Sequence, residues 1–205
     1  MNQLIILGGS SSVGKTTVSK EIAKKLSGDV AIIEMDHFRW NFIFEPKQGG
    51  YANKVSHDAA RLSVLAYLKN GFNVIFEGTF SEKDKNNKLF IEKLIKQANK
   101  FPTSVFHLKY SLKKCLERNK LKELKIPEQT IKRIHQRHEV TKLPNEIIIN
   151  VGKKSASDIA LEILQYVKKK VIFRNLKLNI IFVLIEKFAL TFELQQNNQS
   201  MLRQK

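Results

Sequence analysis

The sequence predicts a three-layer α/β/α fold around a five-stranded parallel sheet, and two observations carry that prediction. Apolar runs at 3–7, 30–35, 72–77, 104–109 and 146–150 read as strands and alternate with helical stretches, an order that places helices on both faces of a parallel sheet. The first run closes in a glycine-rich turn, and a chain of 205 residues suffices for one α/β domain but not comfortably for two.

The opening stretch, residues 4–17, reads LIILGGSSSVGKTT. Leu4, Ile5, Ile6 and Leu7 make a short buried strand, and Val18, Ile22 and Leu26 share one face of the helix that starts near Lys15. Between them Gly9 and Gly14 allow a tight curvature free of side chains, so that the backbone N–H groups of Ser10, Ser11, Ser12, Val13 and Gly14 can turn inward on a phosphate chain. The helix adds the positive end of its dipole. At this spacing Lys15 reaches the β- and γ-phosphates as a mobile charge, and the Thr16 hydroxyl, with Thr17 beside it, is placed to ligate Mg²⁺. The pattern is that of a phosphate-binding loop, and it predicts a nucleoside triphosphate site for ATP, or GTP in its place.

The later elements carry their own boundary signals. Ser56 precedes a run in which Ala59, Leu62, Ala66 and Tyr67 recur at helical spacing, and Gly71 ends it. Ser81 and Ser111 stand before Glu- and Lys-rich helical segments, Pro127 fits the first turn of a helix running to about Val140, and Pro144 precedes the strand Glu146 to Asn150. Ser155 or Ser157 caps a closing helix whose Ile159, Ile163, Leu164 and Val167 face a core. Residues 1–170 thus form one P-loop domain. The stretch 171–205 changes character, and its six apolar residues Ile180 to Ile185 are too few for a membrane span of about 20 residues. It reads as an accessory extension with a frayed end.

Composition narrows the class. The single cysteine, Cys115, excludes an intrachain disulfide, and the first apolar run is too short for a signal peptide or a spanning helix, so a cytoplasmic enzyme is expected. A formal charge of +17 and a pI near 9.9 would suit a polyanionic partner. No stripe of interleaved aromatics and arginines accompanies the lysines, so nucleic acid is allowed but not favoured as a partner.

In parallel α/β sheets the ligand lies beyond the carboxyl ends of the strands. Two acidic residues stand there: Asp36 after Ala31 to Met35, and Glu77 after Asn73 to Phe76. A phosphoryl transferase needs a group to take up the acceptor's proton and a way to hold Mg²⁺. Asp36 suits the first task, with Arg39 in the same Asp-His-Phe-Arg loop able to hold an acceptor, and Glu77 suits the second or orients Asp36. The dense aromatics Trp40, Phe42, Phe44 and Tyr51 are either core and loop residues or a wall of the acceptor site.

With LIILGGSSSVGKTT, MDHFR and GFNVIFEGTF, and with LERN, HQRHE and SASDIALEIL in later helices, residues 1 to about 168 resemble the P-loop kinases typified by chloramphenicol phosphotransferase and the zeta toxins. The resemblance implies a nucleotide-kinase-like P-loop NTPase fold, a phosphotransferase with an alcohol group as acceptor, and Asp36 as the base that activates the acceptor hydroxyl. The EGT triplet, Glu77 to Thr79, looks more like the zeta toxins, whose acceptor is a sugar nucleotide, and the Asp-x-x-Arg step is similar to the phage polynucleotide 5′-kinase.

Between Lys109 and Lys142 eleven Lys or Arg stand against four Glu. Arginines of a mobile lid, about residues 111–140, can stabilise the charge on a transferring phosphoryl group. By the same resemblance the candidates are Arg118 in LERN, which would also contact the nucleotide, and Arg133 or Arg137, four apart on one helical face. His135 and His138 have no carboxylate or thiol completing a metal site, and Cys115 has no base assigned to it. The leading expectation is a small-molecule kinase. A polynucleotide kinase is the second reading, and a nucleotide-hydrolysing switch the third. Against the switch, Asn119-Lys120-Leu121-Lys122 lacks the acid of a guanine-reading motif.

Overall fold

The computed structural model describes residues 2–44, 50–80, 85–138, 143 and 145–170. The chain divides into two compact units, Met1–Leu164 and Gln165–Lys205; of the second, residues 165–170 are described and are helical.

Five strands, β1 (Leu4–Gly9), β2 (Val30–Glu34), β3 (Asn73–Gly78), β4 (Thr103–Lys109) and β5 (Glu146–Asn150), form one sheet in the order β2-β3-β1-β4-β5. All four pairings are parallel. The helices are α1 (Lys15–Lys25), α2 (His37–Trp40), α3 (Gly50–Lys69), α4 (Lys85–Gln97), α5 (Leu112–Lys120), α6 (Glu128–His138) and α7 (156–170). The predicted five-stranded parallel sheet and α/β class are therefore those observed.

The central strands β1 and β3 are buried along their whole length, which a parallel strand covered on both faces requires. Leu4, Ile6, Ile33, Val74, Phe76 and Val105 point to one face and join Ala60, Val64 and Leu68 of α3 and Ile91 and Leu94 of α4 in a single core. Residues alternating with them, including Leu7, Glu34 and Glu77, point to the opposite face, where α1 packs.

The third helix departs from its predicted start. It begins at Gly50, so Ser56 lies inside it and is buried, and the buried stripe is Ser56, Ala60, Val64 and Leu68. Leu62 and Tyr67 of the predicted stripe are exposed. The run Val64 to Leu68 is apolar on every face, so spacing alone did not fix which side turns inward. Ser111 does cap α5, accepting from Lys114 N at 3.4 Å, and Ser155 opens α7 by accepting from Asp158 N at 3.1 Å while donating to the Asp158 carboxylate at 2.7 Å. Ile159, Ile163 and Leu164 are buried, as is Val167. Ser81 and Pro144 lie outside the described residues. Among those residues no helix is long and apolar enough to cross a membrane.

Candidate functional site

The loop between β1 and α1 has the backbone that its glycines foretell. Gly9 has φ 146° and Gly14 φ 108°, and even Ser12 is held at φ 63°. A Cβ on Gly9 would stand 2.8 Å from the Leu108 carbonyl oxygen, and one on Gly14 would stand 3.2 Å from Arg118 Nη1. The bend therefore leaves no room for a side chain at Gly9 and little at Gly14. Ser10, Ser11 and Ser12 are buried, with Ser10 Oγ 3.5 Å from Cys115 Sγ and Ser12 Oγ donating to Asn119 Oδ1 at 3.4 Å.

Lys15 leads α1 and folds back over the loop, donating to the carbonyl oxygens of Gly9 and Ser10 at 3.1 Å each. Burial lowers its pKa; the carboxylates of Glu77 and then Asp36 act the other way, so both acids lie within electrostatic reach of the ammonium. Thr16, one residue on, donates its hydroxyl to Glu77 Oε1 at 2.7 Å, and Ser19, a turn further, donates to Glu77 Oε2 at 2.6 Å. Glu77 is buried and its pKa is raised by that burial, a rise opposed by the Ser19 and Thr16 hydrogen bonds. A carboxylate and two hydroxyls at the mouth of a phosphate loop are a hard oxygen set, which fits Mg²⁺.

A cleft of about 440 Å³ opens beside the loop. Ser12, Val13, Gly14, Lys15, Thr16, Thr17 and Arg118 of the predicted nucleotide residues line it, whereas Gly9, Ser10 and Ser11 form the loop behind it. Arg118 is fixed from two sides: Nη1 donates to the Val13 carbonyl at 2.7 Å, and the guanidinium lies 4.5 Å from the centroid of the Tyr110 ring. Tyr110 is held in turn through its carbonyl, 2.9 Å from His135 Nε2. The buried histidine that stood as half of a metal pair is thus engaged with backbone.

Asp36 occupies the N-cap position of α2, where its backbone carbonyl accepts from Arg39 N and Trp40 N at 3.1 and 2.9 Å. Its side chain makes no cap bond and is exposed. Arg39 is half-buried, with its guanidinium 4.7 Å from the Trp40 ring. Trp40, Phe42 and Phe44 are 54%, 75% and 91% exposed, so they are not core residues. Tyr51 lies in α3.

Arg133 and Arg137 are exposed on α6, and neither lines the cleft. Sequence reasoning passed over Ser19, Asn119, Lys122, Lys154, Ala156 and Ile159 at this site. Ser19, one turn beyond Thr16 on α1, is the residue of this group whose place a helical wheel could have shown.

Loop, cleft and strand order together define a P-loop nucleotide-binding protein of kinase-like α/β architecture. A family profile described as an AAA domain, AAA_33, matches residues 4–141, and the chain belongs to that P-loop kinase family. Over 184 residues it is 29% identical to the L-seryl-tRNA(Sec) kinase of Methanococcus maripaludis, covering 85% of this chain and 68% of that protein. Its fold is similar to that of a gluconokinase from Sinorhizobium meliloti, 16% identical with a TM-score of 0.57 over 84% of this chain and 97% of the other. It is similar also to that of the Deinococcus radiodurans tunicamycin resistance protein, 15% identical with a TM-score of 0.63 over 82% and 96%. This assignment is broader than the chloramphenicol phosphotransferase and zeta-toxin group that the motifs resemble.

Proposed function

We propose that the chain transfers the γ-phosphate of ATP to the hydroxyl of a small-molecule acceptor, and that residues 1–170 are the catalytic domain with 111–140 as its lid. The observation that carries this reading is the joining of loop and sheet at one point: Thr16 of the loop's helix is bonded to Glu77 at the end of β3, with Lys15 folded over the loop and within electrostatic reach of Glu77 and Asp36. The loop amides and Lys15 hold the β- and γ-phosphates. Arg118 closes over the nucleotide, while Arg133 and Arg137 are the lid charges of this reading. Thr16 and Glu77 hold Mg²⁺, which when bound offsets the phosphate charge.

Asp36 then has a definite task. Its exposed carboxylate accepts the proton as the acceptor O–H bond breaks; the acceptor oxygen bonds to the γ-phosphorus, the bond from that phosphorus to the β,γ-bridging oxygen breaks, and ADP leaves. Arg39 and the aromatic segment behind it orient the acceptor. A soluble cytoplasmic setting suits these substrates.

The charge of +17 and the similarity to an L-seryl-tRNA(Sec) kinase favour a second reading, in which the hydroxyl is carried on a nucleic acid. ADP release measured over antibiotics, sugars, sugar nucleotides, oligonucleotides and seryl-tRNA separates the readings. A small acceptor that stimulates release with little salt dependence supports the first; stimulation by RNA that falls steeply with salt supports the second. ADP release that no acceptor changes would instead point to a hydrolysing switch.

A further inference from the structure

Among the described residues six large apolar side chains are more than half exposed, and three of the six, Trp40, Phe42 and Phe44, fall within five residues just beyond the carboxyl end of β2. They are also the aromatic members of that set. Rings left in water at such density cost free energy, and a patch of this kind marks a binding surface.

The turn that carries them is fixed to the body of the protein. Met35 N donates to Glu77 O at 2.9 Å, which ties the end of β2 to β3, and Phe38 packs against the core of the first unit. Phe38 in turn meets Phe42, with ring centroids 5.6 Å apart. Asp36 is itself helical, at φ −67° and ψ −26°, and its carbonyl accepts from both Arg39 N and Trp40 N. Side chains three and four apart on a helical turn share a face, so the Asp36 carboxylate, the Arg39 guanidinium and the Trp40 indole lie on one side of this turn. Arg39 stands 4.7 Å over the indole, while Trp40 stays 54% exposed. An indole backed by a guanidinium offers a flat surface that another π-system covers best. A saturated sugar or an amino-acid alcohol would leave these rings largely in water.

Resting on the proposed acceptor site, we infer that the acceptor carries a flat aromatic ring, which stacks on Trp40 beside Phe42 while a hydroxyl of the same molecule reaches Asp36. Trp40 is then a specificity-determining residue that selects ring-bearing hydroxyl compounds over saturated ones. A nucleoside at the end of a nucleic acid and a free aromatic glycoside or nucleoside share this chemistry.

Trp40 is the one tryptophan of the chain, so its emission reports on the platform directly. The test titrates the full chain, in saturating MgADP to occupy the nucleotide cleft, with matched probes: adenosine against ribose, and phenyl β-glucoside against methyl β-glucoside. A 5′-hydroxyl hexanucleotide forms a further arm. Expected is saturable quenching of Trp40 emission by at least one ring-bearing probe and none by ribose or methyl glucoside. By calorimetry Trp40→Leu weakens that probe by about tenfold or more, and Trp40→Phe keeps most of the affinity. Binding of the hexanucleotide that falls steeply with salt assigns the ring to a nucleic-acid end, whereas adenosine or phenyl glucoside binding that is flat in salt assigns it to a free small molecule. No quenching by any ring-bearing probe would overturn the inference. So would equal affinities of Trp40→Leu and Trp40→Phe, which mark a side chain that only fills apolar space. Phosphate transfer to ribose or methyl glucoside alone would overturn it too, while leaving the kinase reading intact. A ring-bearing probe that binds through Trp40 but neither takes phosphate nor stimulates ADP release would instead remove the acceptor reading on which the inference rests.

Discussion

Lys15 and Glu77 are the residues on which most of the site depends; Glu77 is buried and Lys15 half-buried, and burial disfavours the charged form of each. Lys15→Ala is expected to abolish nucleotide-dependent transfer and to reduce calorimetric binding of MgATP below detection. For Glu77, burial raises the folded pKa above the ordinary carboxylate value. Between the unfolded and the folded pKa the native state therefore binds more protons, and stability falls as pH rises through that window. Glu77→Gln removes this dependence. In melts without Mg²⁺ and nucleotide, wild-type Tm relative to Glu77→Gln is expected to fall as pH rises from about the unfolded carboxylate pKa upward. A parallel pair of profiles would mean that Glu77 does not titrate differently on folding. Asn119→Ala should cost roughly 1–3 kcal/mol in denaturant unfolding, since it strands the Ile126 N–H and carbonyl that the amide now satisfies. Glycine spacing made Lys15 and Thr16 legible in the sequence. Lys122 was hidden among eleven basic residues, because which of them meets the cleft depends on a staple between positions 119 and 126 that no local pattern announces.

Strands were read more surely than helix faces. The sheet follows from short β-branched and apolar runs punctuated by Gly and Pro, and every observed strand lies within two residues of its predicted bounds. In α3 the competing apolar stripes left the inward face undecided until β2 and β3 supplied a surface to pack on. The β1–α1 junction is where element geometry is least forgiving. Gly9→Ala forces a side chain into left-handed backbone and against Leu108 O, so it is expected to lower stability by about 1–3 kcal/mol and to weaken nucleotide binding together with it. Chemical denaturation and ATP titration of that variant check both effects.

The strand order of the first unit sends β1 to the centre of the sheet, with β3 on one side and β4 on the other. That order sets the Glu77 carboxylate against α1, and the loop after β4 carries Tyr110 to Arg118. Sequence alternation foretold the layers, and the family match extends to residue 141. The acceptor was not legible for a physical reason: residues 36–44 present a carboxylate, a guanidinium and exposed aromatics, a set of contacts that many hydroxyl compounds could satisfy. The central claim is that loop and carboxylate have separable duties, nucleotide binding and proton uptake. Its most direct test is a paired measurement on Asp36→Asn once an acceptor is found: MgATP affinity by calorimetry and phosphate transfer at saturating substrates. The account predicts unchanged affinity with transfer reduced by a factor of about 100 or more; transfer at the wild-type rate would contradict it.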